Sequence, residues 1–133
     1  MTTRLPDRAK ELLDAREYAT IATIQPDGRP QLSVVWITRE GDDLLFSTIE
    51  GRRKYRNLVR DPRVTALVSP RDDPYTYVEV RGTASMTREG GRALIDALAN
   101  KYHGDERFAG DDGTDRVRVV VRIRADKVVW YGS

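Results

Sequence analysis

The spacing of apolar residues predicts one helix and three strands in the first third of the chain. Four apolar residues fall on one face of a helix over residues 5–15: Leu5, Ala9, Leu12 and Leu13. Three segments enriched in β-branched and aromatic residues follow, at residues 18–24, 31–39 and 44–48. The turn-forming groups Pro26-Asp27-Gly28 and Glu40-Gly41-Asp42 separate these segments. Short turns between consecutive strands predict antiparallel hairpins.

The rest of the chain continues the pattern, with more strands than helices. A short helix ended by Pro62 is predicted, and apolar residues at helical spacing predict another over residues 89–102. Strands are predicted at residues 64–68, 76–84, 116–124 and 128–131, with a polar, glycine- and aspartate-rich loop at residues 103–115. This order of elements predicts a mainly β fold in a single domain over residues 1–133, a small antiparallel barrel capped by short helices.

Composition narrows the class of protein. The chain has 133 residues and no cysteine, which excludes disulfides and thiolate metal sites. Its single histidine, His103, supports neither a metal site nor a catalytic triad. The amino-terminal residues lack the apolar core of a signal peptide, and no later stretch has the length of a membrane span. The sequence therefore predicts a cytoplasmic protein with no membrane segment and no bound metal.

Positive charge is concentrated in residues 51–63. This segment carries six cationic side chains and one anionic side chain, although the whole protein has a net charge of only +2. It follows the apolar run 44–48, so the residues predict a strand that leads into a cationic helix start. Backbone N–H groups, the helix dipole and basic side chains at such a place favour a phosphate. A solvated helix face and a weak nucleic-acid patch are the alternatives that composition leaves open.

The order of these segments resembles the pyridoxamine 5′-phosphate oxidase-like family, the split β-barrel flavin and deazaflavin proteins. The resemblance rests on five groups of residues in sequence order: 18–24, 27–33, 45–48, 52–58 and 61–63. It extends through residues 77–84 and so covers roughly the first two-thirds of the chain. The Arg-Lys-x-x-Asn-Leu pattern at residues 53–58 is most similar to the branch that uses coenzyme F420.

The resemblance implies an FMN-binding split barrel that forms a homodimer, with the cofactor in a groove between the two chains. By position, five residues would hold the cofactor phosphate: Ser47, Thr48, Arg52, Arg53 and Lys54. Asn57 would lie behind them, and Gln31, Ser33 and Trp36 would line the ring. Tyr77 and Trp130 are the candidates for a contribution from the partner chain.

These expectations lead to a functional hypothesis. No residue is predicted to act as a nucleophile or general base, which is typical of enzymes whose cofactor carries the chemistry. The hypothesis is an oxidoreductase that binds coenzyme F420 and transfers hydride to an unsaturated or quinone-like small molecule. An FMN-dependent reductase or oxidase of the same fold and a non-enzymatic cofactor carrier are the alternatives. Nucleic-acid binding is the least favoured, because Tyr55 is the only aromatic residue within the basic segment.

Overall fold

The structure is a computed structural model and describes residues 3–132. It contains three helices within that range: α1 (Asp7–Asp14), α2 (Arg53–Arg60) and α3 (Gly91–His103). The strands are β1 (Tyr18–Ile24), β2 (Pro30–Trp36), β3 (Thr38–Glu40), β4 (Asp43–Ile49), β5 (Arg63–Val68), β6 (Tyr77–Thr87) and β7 (Arg118–Tyr131). None of the helices described is long and apolar enough to cross a membrane.

The seven strands form one antiparallel sheet that curls into a split barrel. Their order is β2-β1-β5-β6-β7-β4-β3, and every neighbouring pair is antiparallel. β2 and β4 also contact each other without being hydrogen-bonded neighbours, so the sheet closes on itself at this point. This architecture confirms the predicted mainly β, antiparallel split barrel with short capping helices.

The barrel interior and α3 form two separate apolar clusters. The inner faces of the strands pack around fully buried residues such as Phe46, Ile21 and Ile123, and α1 covers this cluster with Leu13. α3 lies on the outer side of β4 and β7, where its apolar face packs against those strands. Gly91 allows this close packing, because a Cβ there would overlap the carbonyl oxygen of Arg118.

The strand predicted at residues 31–39 is wrong in one respect, because it is interrupted at Ile37. β2 pairs with β1, whereas β3 pairs with β4. The Ile37 amide donates to the Tyr102 hydroxyl at 3.1 Å, and the Ile37 carbonyl accepts from Lys101 Nζ at 2.6 Å. α3 thus supplies the backbone partners of the residue at which the chain changes from one partner strand to another.

The two strands predicted at residues 116–124 and 128–131 are a single strand, β7. Its pairing with β6 shifts between Arg81 and Gly82, where Ala125 and Lys127 are the partners and Asp126 is the extra residue. Such a bulge lets a long strand bend without ending. A Cβ at Gly82 would overlap the Arg124 carbonyl oxygen, so glycine permits the close approach of the two strands.

Candidate functional site: a cationic cleft at the split in the barrel

A cleft of about 450 Å³ lies where β2 and β4 approach each other. Its walls come from these two strands, from the ends of β1 and β7, from α2 and α3, and from the connecting segment 104–117. Its polar lining residues are Ser47, Lys54 and Arg118, and aromatic and aliphatic side chains supply most of the rest. The volume lies within the range of about 300–1,000 Å³ that small-molecule sites occupy. An apolar wall with a few cations suits a planar, anionic ligand.

Lys54 is the cation that α2 contributes to the cleft. Its Nζ donates to Ser33 Oγ on β2 at 2.9 Å, and the side chain is half-buried. Burial, and then the nearby charge of Arg52, lower the pKa of Lys54 below the usual 10.5. An ammonium group has three donors, so two remain for a ligand beside Ser33. An anion in the cleft would relieve the cost of this half-buried charge.

The lowered pKa of Lys54 predicts a pH dependence of phosphate binding. We expect the affinity for F420 to fall as pH rises through this pKa, because Lys54 then loses the charge that would attract the cofactor phosphate. The fall begins below the pH at which an ordinary lysine, with a pKa of 10.5, deprotonates. Titrations between neutral and alkaline pH measure it. Lys54→Arg is the matched control, since arginine keeps its charge over this range. Equal pH dependence of the two proteins would contradict the assignment.

Asn57 ties α2 to the strands beneath the cleft. Its side chain is fully buried, and Nδ2 donates to Thr23 Oγ1 at 3.0 Å and to Gln25 Oε1 at 3.3 Å. Thr23 Oγ1 in turn donates to Gln31 Oε1 at 3.0 Å. Buried polar groups linked in this way hold one relative placement of their elements. Asn57 thus joins α2 to β1, and Gln31, which the resemblance placed along the ring, belongs to this network and not to the cleft lining.

Ser47 and Thr48 point to opposite sides of β4, because successive strand residues alternate. Ser47 lines the cleft, whereas Thr48 is only 3% exposed and lies on the face of β4 that carries the core residue Phe46. The interpretation that both hydroxyls face one phosphate is therefore wrong for the Thr48 side chain. Adjacent strand residues cannot present their side chains to the same face of a flat strand.

Arg52 and Arg53 are exposed at the start of α2, outside the cleft lining. Arg52 precedes the helix and its side chain makes no capping hydrogen bond. The first-turn N–H groups of a helix have no partner within the helix, and there they add to the attraction for an anion. Among the described residues, three of the nine predicted site residues line the cleft: Trp36, Ser47 and Lys54. Ser33 joins them through its hydrogen bond to Lys54.

Trp36 forms part of an aromatic wall of the cleft. Its ring stacks on Tyr102 with the ring centroids 5.4 Å apart and 9° between the ring planes. The ring of Phe108 meets Trp36 edge-on, with centroids 6.2 Å apart. Trp36 is therefore held by packing and also faces the cleft. Such a fixed aromatic surface suits contact with a planar ring.

Sequence reasoning missed Arg118, Phe108 and Tyr18 as cleft residues. Arg118 belongs to the strand predicted at residues 116–124, where arginines alternate with apolar residues, a pattern that is also typical of a solvated sheet face. Phe108 is the one aromatic residue in an otherwise polar loop, and that exception is the signal that could have identified it. The loop is anchored, because Phe108 N donates to Asp96 Oδ1 at 2.7 Å and its carbonyl accepts from Arg92 at 2.7 Å.

The sequence profile of the family described as Pyridoxamine 5'-phosphate oxidase matches residues 5–129. The chain belongs to this family. The family has the split-barrel fold and includes flavin and deazaflavin oxidoreductases, so the predicted family and fold are confirmed.

Solved structures agree with this membership. An F420 reductase is 29% identical, with 94% of this chain and 98% of that chain covered and a TM-score of 0.82. A conserved hypothetical protein from Mycobacterium tuberculosis is 25% identical over 98% of this chain and 86% of that one, with a TM-score of 0.78. A putative pyridoxamine 5'-phosphate oxidase from Listeria innocua is 19% identical over 96% of this chain and 98% of that one, with a TM-score of 0.75, and shows the shared fold.

Proposed function

We propose that this protein binds coenzyme F420 in the cleft and transfers hydride between the deazaflavin and an unsaturated or quinone-like organic acceptor. The observation that carries the proposal is Lys54, a half-buried cation held by Ser33 at the edge of an aromatic-walled cleft. The similarity to an F420 reductase over 98% of that protein's length supports the choice of cofactor.

The residues of the cleft fit such a ligand. Lys54 and the start of α2, with Arg52 and Arg53 beside it, would hold the phosphate. Trp36 would lie against the ring. When bound, the cofactor supplies the hydride chemistry. The chain orients the ligand and excludes water, and among the described residues the cleft lining contains no histidine or carboxylate that would activate Ser47 as a nucleophile.

We also propose a homodimer in which the partner chain closes the cleft. The outer face of β2, β1 and β5 carries exposed apolar residues: Leu32 is 62% exposed, Val34 67% and Leu67 40%. These positions lie on one face, because Val34 and Leu67 are both paired with Thr20 of β1. Val34 also lines the cleft, so a chain covering this face would cover the cleft as well.

An acceptor assay tests the proposed reaction. The protein is mixed anaerobically with reduced F420 and a simple quinone, and the return of the oxidised deazaflavin absorbance is followed. We expect oxidation that needs both protein and quinone and that saturates with quinone. Tight binding of F420 with no acceptor-dependent oxidation across a panel of quinones and unsaturated carbonyl compounds would instead support a carrier protein.

The surplus cations of α2 predict a salt-dependent preference for F420 over FMN. FMN ends at its phosphate, whereas F420 continues into an anionic oligoglutamate tail. Arg53 and Arg56 are exposed beside Lys54 and can attract the tail carboxylates. We expect Arg53→Ala combined with Arg56→Ala to weaken F420 binding at low salt, and the effect to fade as salt screens exposed charges. FMN titrations of the same variant are the control: both ligands lose Arg53 beside the phosphate, so FMN binding should weaken less than F420 binding, which also loses the tail contacts. An F420 affinity unaffected by the double substitution would contradict a contact between these arginines and the tail.

A further inference from the structure

Arg118 is a second cation of the cleft, and it comes from β7 rather than from α2. It begins β7, and its side chain is only 13% exposed. Its Nη1 lies 3.4 Å from Ser47 Oγ, and its guanidinium carbon lies 5.0 Å from the centroid of the Phe108 ring. The family resemblance assigned no role to Arg118. Its surroundings are the aromatic and aliphatic part of the cleft lining, which includes Trp36.

Asp111 holds the Arg118 guanidinium in one orientation. Arg118 Nε donates to Asp111 Oδ2 at 2.7 Å and Nη2 donates to Oδ1 at 3.1 Å, a two-point pairing that fixes the plane of the guanidinium. The Asp111 side chain is only 4% exposed, and hydrogen bonding to Arg118 keeps its pKa below the usual value. With Nε and Nη2 engaged by the carboxylate, Nη1 is the nitrogen directed to Ser47 and the cleft.

The charges around this pair leave a net positive charge beside the cleft. Asp111 also contacts Arg92 at 3.3 Å and Arg116 at 3.5 Å, and Arg92 contacts Asp96 at 3.1 Å. The cluster thus contains three guanidinium groups and two carboxylates. Since Arg118 is the member that lines the cleft, a ligand oxygen there meets a guanidinium whose Nη1 is not engaged by Asp111. The long 3.4 Å contact to Ser47 is one that such an oxygen can replace.

We infer that Arg118 and Ser47 form an oxygen-binding pair for the planar ring of the cofactor, separate from the phosphate site at Lys54, and that Asp111 positions Arg118 for this contact. The inference rests on the proposed function, since it assigns the two cations to two parts of one ligand. The ring is the favoured part because Phe108 lies against Arg118, Trp36 packs edge-on against Phe108, and both aromatic side chains line the cleft. A ring carbonyl is a partial negative charge that a poorly solvated guanidinium binds well.

The test compares two ligands: F420, and the same deazaflavin chromophore without phosphate and tail. We expect Arg118→Gln to weaken both by the same factor, roughly ten-fold or more, because it removes a charge-assisted hydrogen bond to the shared ring. Lys54→Ala should weaken F420 alone. Arg116→Gln is the matched control, since Arg116 contacts Asp111 but lies outside the cleft lining, and it should leave both affinities within about two-fold.

Two further variants separate positioning from folding. Arg118→Lys keeps the charge but loses the two-point pairing, and Asp111→Asn keeps the size but loses the carboxylate. Both should weaken the two ligands alike, by less than Arg118→Gln, and should alter the absorption band of the bound chromophore, a change that a loss of stability alone does not produce. Melting temperatures identify any variant that fails to fold. If Arg118→Gln fails to fold, the affinities of Arg118→Lys for the two ligands decide the result.

Three further outcomes would contradict either the inference about Arg118 or the proposed function. If Arg118→Gln weakens F420 but not the phosphate-free chromophore, Arg118 contacts the phosphate and the inference is wrong. If it changes neither affinity, Arg118 has no ligand contact and the inference is equally wrong, while the proposed function stands. If the parent protein binds neither F420 nor its chromophore, the proposed function itself fails, and riboflavin and FMN replace the two ligands in the same comparison.

Discussion

Lys54→Ala is expected to weaken F420 binding by roughly ten- to a hundred-fold, on the order of 1.5–3 kcal/mol, with little loss of stability. The substitution removes the half-buried ammonium that Ser33 holds at the cleft. Stability should change little, because Lys54 contributes no apolar surface to the barrel core. Titration of the cofactor into each protein at moderate salt, with a melting curve for each, measures both quantities.

Arg56→Ala is the matched control for this prediction. Arg56 lies one position before Asn57 on the same helix and is exposed, so its removal lowers the net charge by the same amount without touching the cleft lining. At moderate salt its affinity should stay within about two-fold of the parent. A Lys54→Ala protein that binds F420 as tightly as Arg56→Ala would show that the phosphate lies elsewhere.

Leu32→Asp combined with Leu67→Asp is expected to convert a dimer into monomers that remain folded. Both side chains are exposed in the single chain, at 62% and 40%, so the barrel core does not depend on them. Two carboxylates on an apolar interface would be desolvated without partners, which opposes association. Sedimentation or light scattering at micromolar concentration should report twice the 15.1 kDa chain mass for the parent and the chain mass for the variant.

Val59→Asp provides the control for the dimer. Val59 is 65% exposed on α2, where it lines a hollow with Met86 and Val119, so it tests whether any exposed apolar-to-acidic change has the same effect. It should leave the mass unchanged. The monomeric variant should also bind cofactor more weakly, because the face continues into the cleft at Val34. A parent that sediments as a monomer, or a double variant that remains dimeric, would contradict the proposed interface.

Periodicity predicted most of the elements because their apolar positions obey local rules. β1 is found at the predicted residues 18–24, and Val119, Val121 and Ile123 of β7 are buried as their alternation indicates. The interruption at Ile37 could not be predicted in the same way. It depends on Tyr102 and Lys101, 65 and 64 residues away, which satisfy the Ile37 backbone. Side-chain partners of that kind carry no local pattern.

The candidate site could be predicted where a cluster of charge falls in a recognisable order of segments. It could not be predicted where an irregular segment brings side chains together. Lys54 belongs to the basic segment that predicted a ligand site, and its side chain lines the cleft. Asp111 belongs to an acidic run that is usually solvated, yet its side chain is buried against Arg118. Thr48 was expected at the site and is not there: it is adjacent to Ser47 in sequence, but its hydroxyl faces the core. Asp111 and Arg118 are seven residues apart, and their pairing depends on the course of the connecting segment 104–117, which has no periodic pattern.

A parallel titration of the purified protein with F420 and with FMN, followed by absorbance, tests the cofactor assignment most directly. The account predicts that F420 binds one per chain, more tightly than FMN, with a shifted absorption band from the aromatic surroundings at Trp36 and Phe108. Tighter binding of FMN would assign the cleft to a flavin, and failure of both ligands to bind would contradict a cofactor site at the split in the barrel.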